Sequence, residues 1–343
     1  MSKVIQLEKK NNDFSTSVDK LLKLSKKEID DINILILKKL DSKIPLIKEI
    51  ANHIILSGGK RLRPLLTVTC SKLVGYGFKK NETNHIGLAA AVEFIHTATL
   101  MHDDVVDESK MRRGKLSSNE IWGNKTSVLV GDFLFSKAFD LISNQESSEI
   151  LKLLSDTSIE ISEGEILELL NDKDPTINED TYFKVINGKT ASLFSAATQV
   201  GGMAANISKS KQEGLKAFGT NFGIAFQLID DALDYSSSAK KLGKNVGDDF
   251  KEGKITLPII LAYLRSNTEE KKFWKRTIKN LNQKKEDLSR SIELINKYNC
   301  IEDTMKRASH FLDIAEDSLG LFENNEYKIA LLELIENSQK RIN

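Results

Sequence analysis

The sequence predicts an all-α fold of long helices, and two observations lead there. The 343 residues hold only four prolines and few clusters of turn-forming residues, so little interrupts a helix. No stretch alternates apolar and polar residues for long enough to form a half-buried strand. With no internal repeat and no linker, residues 21–343 are expected to form one helical domain behind a flexible polar arm over 1–20.

Taken in order, that arm lacks the apolar segment of a secretory signal. Helical patterns follow over 21–41 and 44–57. Gly58-Gly59 closes the second, as glycine does beyond a helix end. Lys60-Arg61-Leu62-Arg63-Pro64 comes next, with Pro64 suited to the first turn of a helix reaching Val74. Three cations at a helix start can bind phosphate, although a solvated basic turn looks the same when read alone. A helix over 83–109 is apolar for most of its length and ends in carboxylates. Residues 110–123 read as a polar loop carrying Arg112, Arg113 and Lys115. The helix over 125–143 is apolar on more than one face, which places it centrally or at a subunit contact. Helices over 147–171, from Asn178, and over 209–235 follow. A loop with Lys244 and Lys254 then leads to amphipathic helices from 256 to the end.

Asp103-Asp104-Val-Val-Asp107 ends the helix over 83–109. Asp103 and Asp107 lie four apart and share a helix face. One DDxxD in a chain that is 29% charged is weak, because acidic pairs usually face water. The pattern repeats as Asp230-Asp231-Ala-Leu-Asp234 at the end of a second apolar run. Carboxylates repel one another and resist burial unless cations neutralise them. Two such helix ends facing across a cavity would hold Mg²⁺, which binds one or two protein carboxylates together with substrate phosphates. The arrangement therefore predicts a diphosphate substrate.

Other classes fit less well. Lys plus Arg is 50 and Asp plus Glu is 49, which argues against nucleic acid as a partner. The two cysteines, Cys70 and Cys300, form no metal pattern and suit reduced thiols in the cytoplasm. No apolar run is long enough to span a bilayer. Glu93-x-x-His96 and Glu82-x-x-His85 match half of a di-iron signature, but they lie near or on a single helix. A nucleophile elbow, a P-loop and a dinucleotide fingerprint are absent. By itself, His96 reads as a satisfied core histidine.

The motifs Gly58-Gly59-Lys60-Arg61-Leu62-Arg63-Pro64, both DDxxD clusters, Arg112-Arg113-Gly114, Lys189-Thr190 and Phe226-Gln227 together resemble the trans-polyprenyl diphosphate synthase family over residues 30–343. The resemblance implies a single-domain bundle of mostly antiparallel helices around a deep central cavity, the isoprenoid synthase fold. It implies three Mg²⁺ ions with Asp103, Asp107 and Asp230 as ligands, and Asp104, Asp231 and Asp234 as further ligands or their support. Arg112, Lys189, Thr190, Gln227, Lys244 and Lys254 match positions that hold an allylic diphosphate of the farnesyl or geranyl type. Lys60, Arg63, His96 and Arg113 match the isopentenyl diphosphate site, so His96 becomes an expected ligand. Asp103, Asp107, Arg112, Lys189, Asp230 and Lys244 are the expected catalytic set. Ala98 and Thr99 are small where short-chain relatives carry aromatics, so the cavity is expected to stay open to an octaprenyl to decaprenyl product, as a ubiquinone side chain needs. A homodimer is implied as well. Release of so greasy a product allows peripheral membrane contact, which no motif marks. A terpene cyclase would carry a different second metal motif, and a non-catalytic partner subunit would lack an intact one.

Overall fold

The computed structural model describes residues 13–55, 59–236 and 247–341. Five helices open the chain: α1 (Asp13–Leu24), α2 (Lys26–Lys39), α3 (Pro45–Ile55), α4 (Leu62–Leu73) and α5 (Asn84–Val106). A hairpin of β1 (Met111–Arg112) and β2 (Lys115–Leu116) follows. Then come α6 (Ser118–Trp122), α7 (Asn124–Ser143), α8 (Ser148–Leu170), α9 (Glu179–Ile186), a π-helical turn (Asn187–Ala191), α10 (Ser192–Met203) and α11 (Lys209–Asp234). The remainder is α12 (Asp248–Glu252), α13 (Leu257–Arg265), α14 (Thr268–Trp274), a second π turn (Lys275–Lys279), α15 (Asp287–Lys297), α16 (Cys300–Ser318) and α17 (Glu326–Gln339). Helix starts fall where side chains can accept from freed backbone N–H groups: Ser147 from Ile150, Asn178 from Thr181, and a capping box at Asn267 and Glu270.

Helix α10 is buried along its whole length because it is built from small and apolar residues. It contributes Phe194 to one apolar cluster and Ala196, Ala197 and Val200 to the other. Helix α5 is likewise buried on several sides, through Leu88, Ala91, Val92, Phe94 and Ile95. By contrast, α7 leaves Leu129 exposed and α8 leaves Ile159 and Ile166 exposed.

Two expectations change. Residues 13–20, expected within a loose arm, belong to α1 and pack into the core. Phe14, Val18 and Leu21 are buried on one face, and Lys20 pairs with Glu333 at 2.6 Å. An isolated twelve-residue helix is marginal, but each buried side chain adds about 1.5–3 kcal/mol. The polar composition hid this three-residue stripe. Residues 110–123, read as a loop, contain the hairpin and α6. Arg112 faces Lys115 across a turn in which Arg113 and Gly114 both have positive φ, 52° and 76°.

Candidate active site

The ends of α5, α8 and α11, the first π turn and α12 enclose a cavity of about 530 Å³. Asp107 and Asp230, one from each acidic motif, line the same cavity, so the two motifs face each other as expected. Their members differ in environment. Asp103 is half-buried; burial raises its carboxyl pKa and Asp107 adds to the rise, while Lys189 opposes it. Asp107 lies 3.8 Å from the Lys254 ammonium, which also reaches Glu252 at 2.9 Å. Asp104 is fully buried and accepts from Arg112 Nε at 2.9 Å and from its Nη2. Asp231 accepts from the Tyr182 hydroxyl at 2.5 Å and from Gln227 Nε2 at 2.7 Å. Asp234 accepts from the backbone N–H groups of Asp248 and Asp249 at 3.3 and 3.2 Å, fastening the start of α12. Asp104 and Asp234 thus serve protein partners, and Arg112, expected on diphosphate, is held on Asp104.

The donor set fits Mg²⁺. Nine carboxylates and three lysines line the cavity, with no histidine or cysteine among them. Hard divalent ions take such oxygen ligands. Burial holds the Asp249 carboxyl well above its ordinary range, and Asp234 and Asp231 push it further, a crowding that a cation relieves. Among the described residues no three carboxylates or imidazoles converge into a closed metal cage.

Lys189 and Thr190 sit on the first π turn, an interruption of helical geometry that recurs at functional sites. The turn lies close against α8: a Cβ on Gly164 would stand 2.7 Å from the Lys189 nitrogen, and one on Gly188 2.8 Å from the Glu160 carbonyl. This approach brings Glu165 and Glu168 to the Lys189 ammonium at 2.8 and 2.6 Å. Burial alone would lower the Lys189 pKa, but Glu168, Asp103 and Glu165 outweigh it and raise it. The Glu165 carboxyl is pushed up to about 7, chiefly by burial. Thr190 donates to Gln227 Oε1 at 3.0 Å. Lys254 lines the cavity, and Lys244 lies outside the described residues.

A cationic cluster lies further along α5. Arg63 Nη1 is 3.2 Å from His96 Nε2, and its guanidinium stacks 4.3 Å from the Phe194 ring centroid. Burial lowers the Arg63 pKa to about 10, against the pull of Glu93. Burial, then Arg63 and Arg113, hold His96 well below its ordinary value, so its ring is neutral. Lys60 is depressed by burial and by Arg341, and its ammonium lies 4.8 Å from the Phe14 ring centroid. Arg113 is depressed by burial. Its guanidinium packs where a Cβ on Gly59 would fall, at 2.6 Å. Glu93 accepts from Arg61 at 2.5 Å. The structure therefore brings Arg63, His96 and Arg113 together, while the Lys60 ammonium lies by Phe14 and Arg341.

Of the chain-length positions, Ala98 is wholly buried in the second apolar cluster, while Thr99 is half-buried and donates to the His96 carbonyl at 2.9 Å. Neither is among the residues that line the acidic cavity. Sequence reasoning also gave no role to Glu165, Glu168, Tyr182 or Asp249, and did not pair Arg61 with Glu93. Only Glu165 and Glu168, three apart beside Gly164, left a local sign.

Comparison with known proteins places the chain in a class. Residues 44–295 match the polyprenyl synthetase family model, and the chain belongs to that family. It is a prenyltransferase. It is 40% identical over 319 residues to the octaprenyl diphosphate synthase of Escherichia coli strain K12, covering 93% of this chain and 97% of that one. Its fold is similar to the crystal structure of a decaprenyl diphosphate synthase from Rhodobacter capsulatus: TM-score 0.90, 41% identity, 95% of this chain and 99% of that one. A polyprenyl synthase from Caulobacter crescentus, complexed with calcium and isoprenyl diphosphate, gives a TM-score of 0.89 at 44% identity, covering 95% and 98%.

Proposed function

We propose that this chain condenses isopentenyl diphosphate with an allylic diphosphate and repeats the step to an all-trans octaprenyl to decaprenyl diphosphate. One observation carries the reading: α5 bears both an acid-lined cavity end and a cationic cluster. His96 and Asp103 are seven residues apart, about 10 Å along the axis. Two diphosphates with different needs would then lie side by side.

Asp103, Asp107 and Asp230 would hold Mg²⁺, with Asp104, Asp231 and Asp234 supporting them. When bound, the ions neutralise the charge that develops on departing pyrophosphate. Lys189, Thr190, Gln227, Lys254 and Lys244 bind the allylic diphosphate. Arg112, released from Asp104 or shared with it, joins them. Lys60, Arg63, His96 and Arg113 fix isopentenyl diphosphate so that its double bond faces the allylic carbon. The carbon–oxygen bond breaks, and its electron pair leaves with pyrophosphate. The double bond attacks the resulting cation, and a proton departs, with pyrophosphate as its acceptor. No side-chain nucleophile is required.

The small Ala98 and Thr99 and the long-chain relatives support a long product. The exposed apolar residues Leu129, Ile159 and Ile166 support a homodimer through α7 and α8. Among the described residues no helix is long and apolar enough to cross a membrane, and both cysteines are free and buried. These features suit a cytoplasmic enzyme that meets a membrane only on releasing product.

The test is to incubate the protein with Mg²⁺, farnesyl diphosphate and labelled isopentenyl diphosphate, then to resolve the dephosphorylated alcohols by length. The expected result is a ladder ending at one octaprenyl to decaprenyl product, shortened by Ala98→Phe. A wild type that stops at farnesyl or geranylgeranyl diphosphate overturns the length; no incorporation overturns the reaction.

A further inference from the structure

Tyr182 belongs to neither acidic motif, yet it stands at the head of a hydrogen-bond chain through the cavity wall. Its side chain is 3% exposed on α9 and lines the cavity. The phenol donates to Asp231 Oδ2 at 2.5 Å, and Gln227 Nε2 donates to Asp231 Oδ1 at 2.7 Å. Thr190 then donates its hydroxyl to Gln227 Oε1 at 3.0 Å. Each carboxylate oxygen receives one side-chain donor. With both Asp231 oxygens accepting, the Gln227 amide is turned with its NH₂ toward Asp231 and its carbonyl toward Thr190. The three bonds tie α9, α11 and the first π turn together.

We propose that Tyr182 is a positioning residue for the allylic diphosphate, fixing the Gln227 amide through Asp231 and the Thr190 hydroxyl through Gln227. The inference rests on the reading of Gln227 and Thr190 as allylic ligands. Without the phenol, Asp231 keeps one side-chain donor and can rotate, and the orientation of Gln227 is no longer imposed. A phenylalanine keeps the ring and its packing, so the hydroxyl alone is removed.

The experiment is Tyr182→Phe with steady-state kinetics for both substrates. The expected result is a fall of about tenfold in kcat/KM for farnesyl diphosphate, the scale of one lost hydrogen bond to a charged group. KM for isopentenyl diphosphate stays unchanged. The same substitution in an Asp231→Asn background should add nothing, because the path through the carboxylate is already broken. If that background turns over too slowly, the cycle is read as farnesyl diphosphate affinity in the presence of Mg²⁺. Wild-type kinetics in Tyr182→Phe overturns the inference, as does an equal extra loss in the Asp231→Asn background, which would mark a packing role. A wild type that does not elongate overturns the proposed function and this inference together. An active wild type with an unaffected variant overturns the inference alone.

Discussion

The acid-lined cavity and the cationic cluster lie along the same helix, and they store charge in opposite ways. In the cavity, carboxylates outnumber ammonium groups nine to three, and two of the lysines are each shared by two acids: Lys189 by Glu165 and Glu168, Lys254 by Asp107 and Glu252. In the cationic cluster, Glu93 is the acid that balances Arg61, Arg63 and Arg113. Each region is therefore incomplete, one lacking cations and the other lacking anions. The backbones differ too. Arg61 and Arg113 both hold left-handed φ values, 48° and 52°, and strain of this kind persists where surrounding contacts fix it. The ion pair between Arg61 and Glu93 supplies such a contact. On the proposed function, the allylic diphosphate would bring its countercharge as metal, while isopentenyl diphosphate would meet the protein's cations directly.

The largest effects should come from the acidic side. Chelating divalent ions should abolish elongation. Asp103→Ala or Asp230→Ala should lower kcat by about 10²- to 10³-fold, the scale for losing one group that stabilises developing charge. Circular dichroism should show the helices retained, and near-normal turnover in such a folded variant would erase the contrast.

Next comes the basic side. Arg63→Ala should raise KM for isopentenyl diphosphate by about 30-fold, or ~2 kcal/mol, the range for breaking one charged contact. KM for the allylic substrate should change far less. Equal shifts in both would show that the two regions are not separate sites.

The smallest effect is on pH dependence. Burial and the neighbouring arginines hold His96 well below 6.5 when folded, while the unfolded chain takes up a proton near pH 6.5. The unfolded state therefore binds more protons below that pH, so stability falls as pH drops through 6.5. His96→Gln should lose less Tm than wild type between pH 8 and pH 5. An imidazole NMR titration of His96 near its ordinary value would contradict a neutral ring.

The sequence by itself determined the helical class, most helix positions, both acidic motifs and the basic motifs around them. These features are local: helix period, caps and residue spacing need no distant partner to be read. Tertiary structure decided how each motif divides. Asp104 and Asp107 look alike in sequence, yet one is sealed against Arg112 and the other lines the cavity. It recruited Glu165 and Glu168 to Lys189 because Gly164 and Gly188 let α8 approach the π turn. It joined Tyr182 to Asp231 across 49 positions of chain. It also folded residues 13–20 onto α17 and buried Ala98 in the second apolar cluster. Such pairings depend on which faces meet when helices pack, and a sequence read one segment at a time does not contain that geometry.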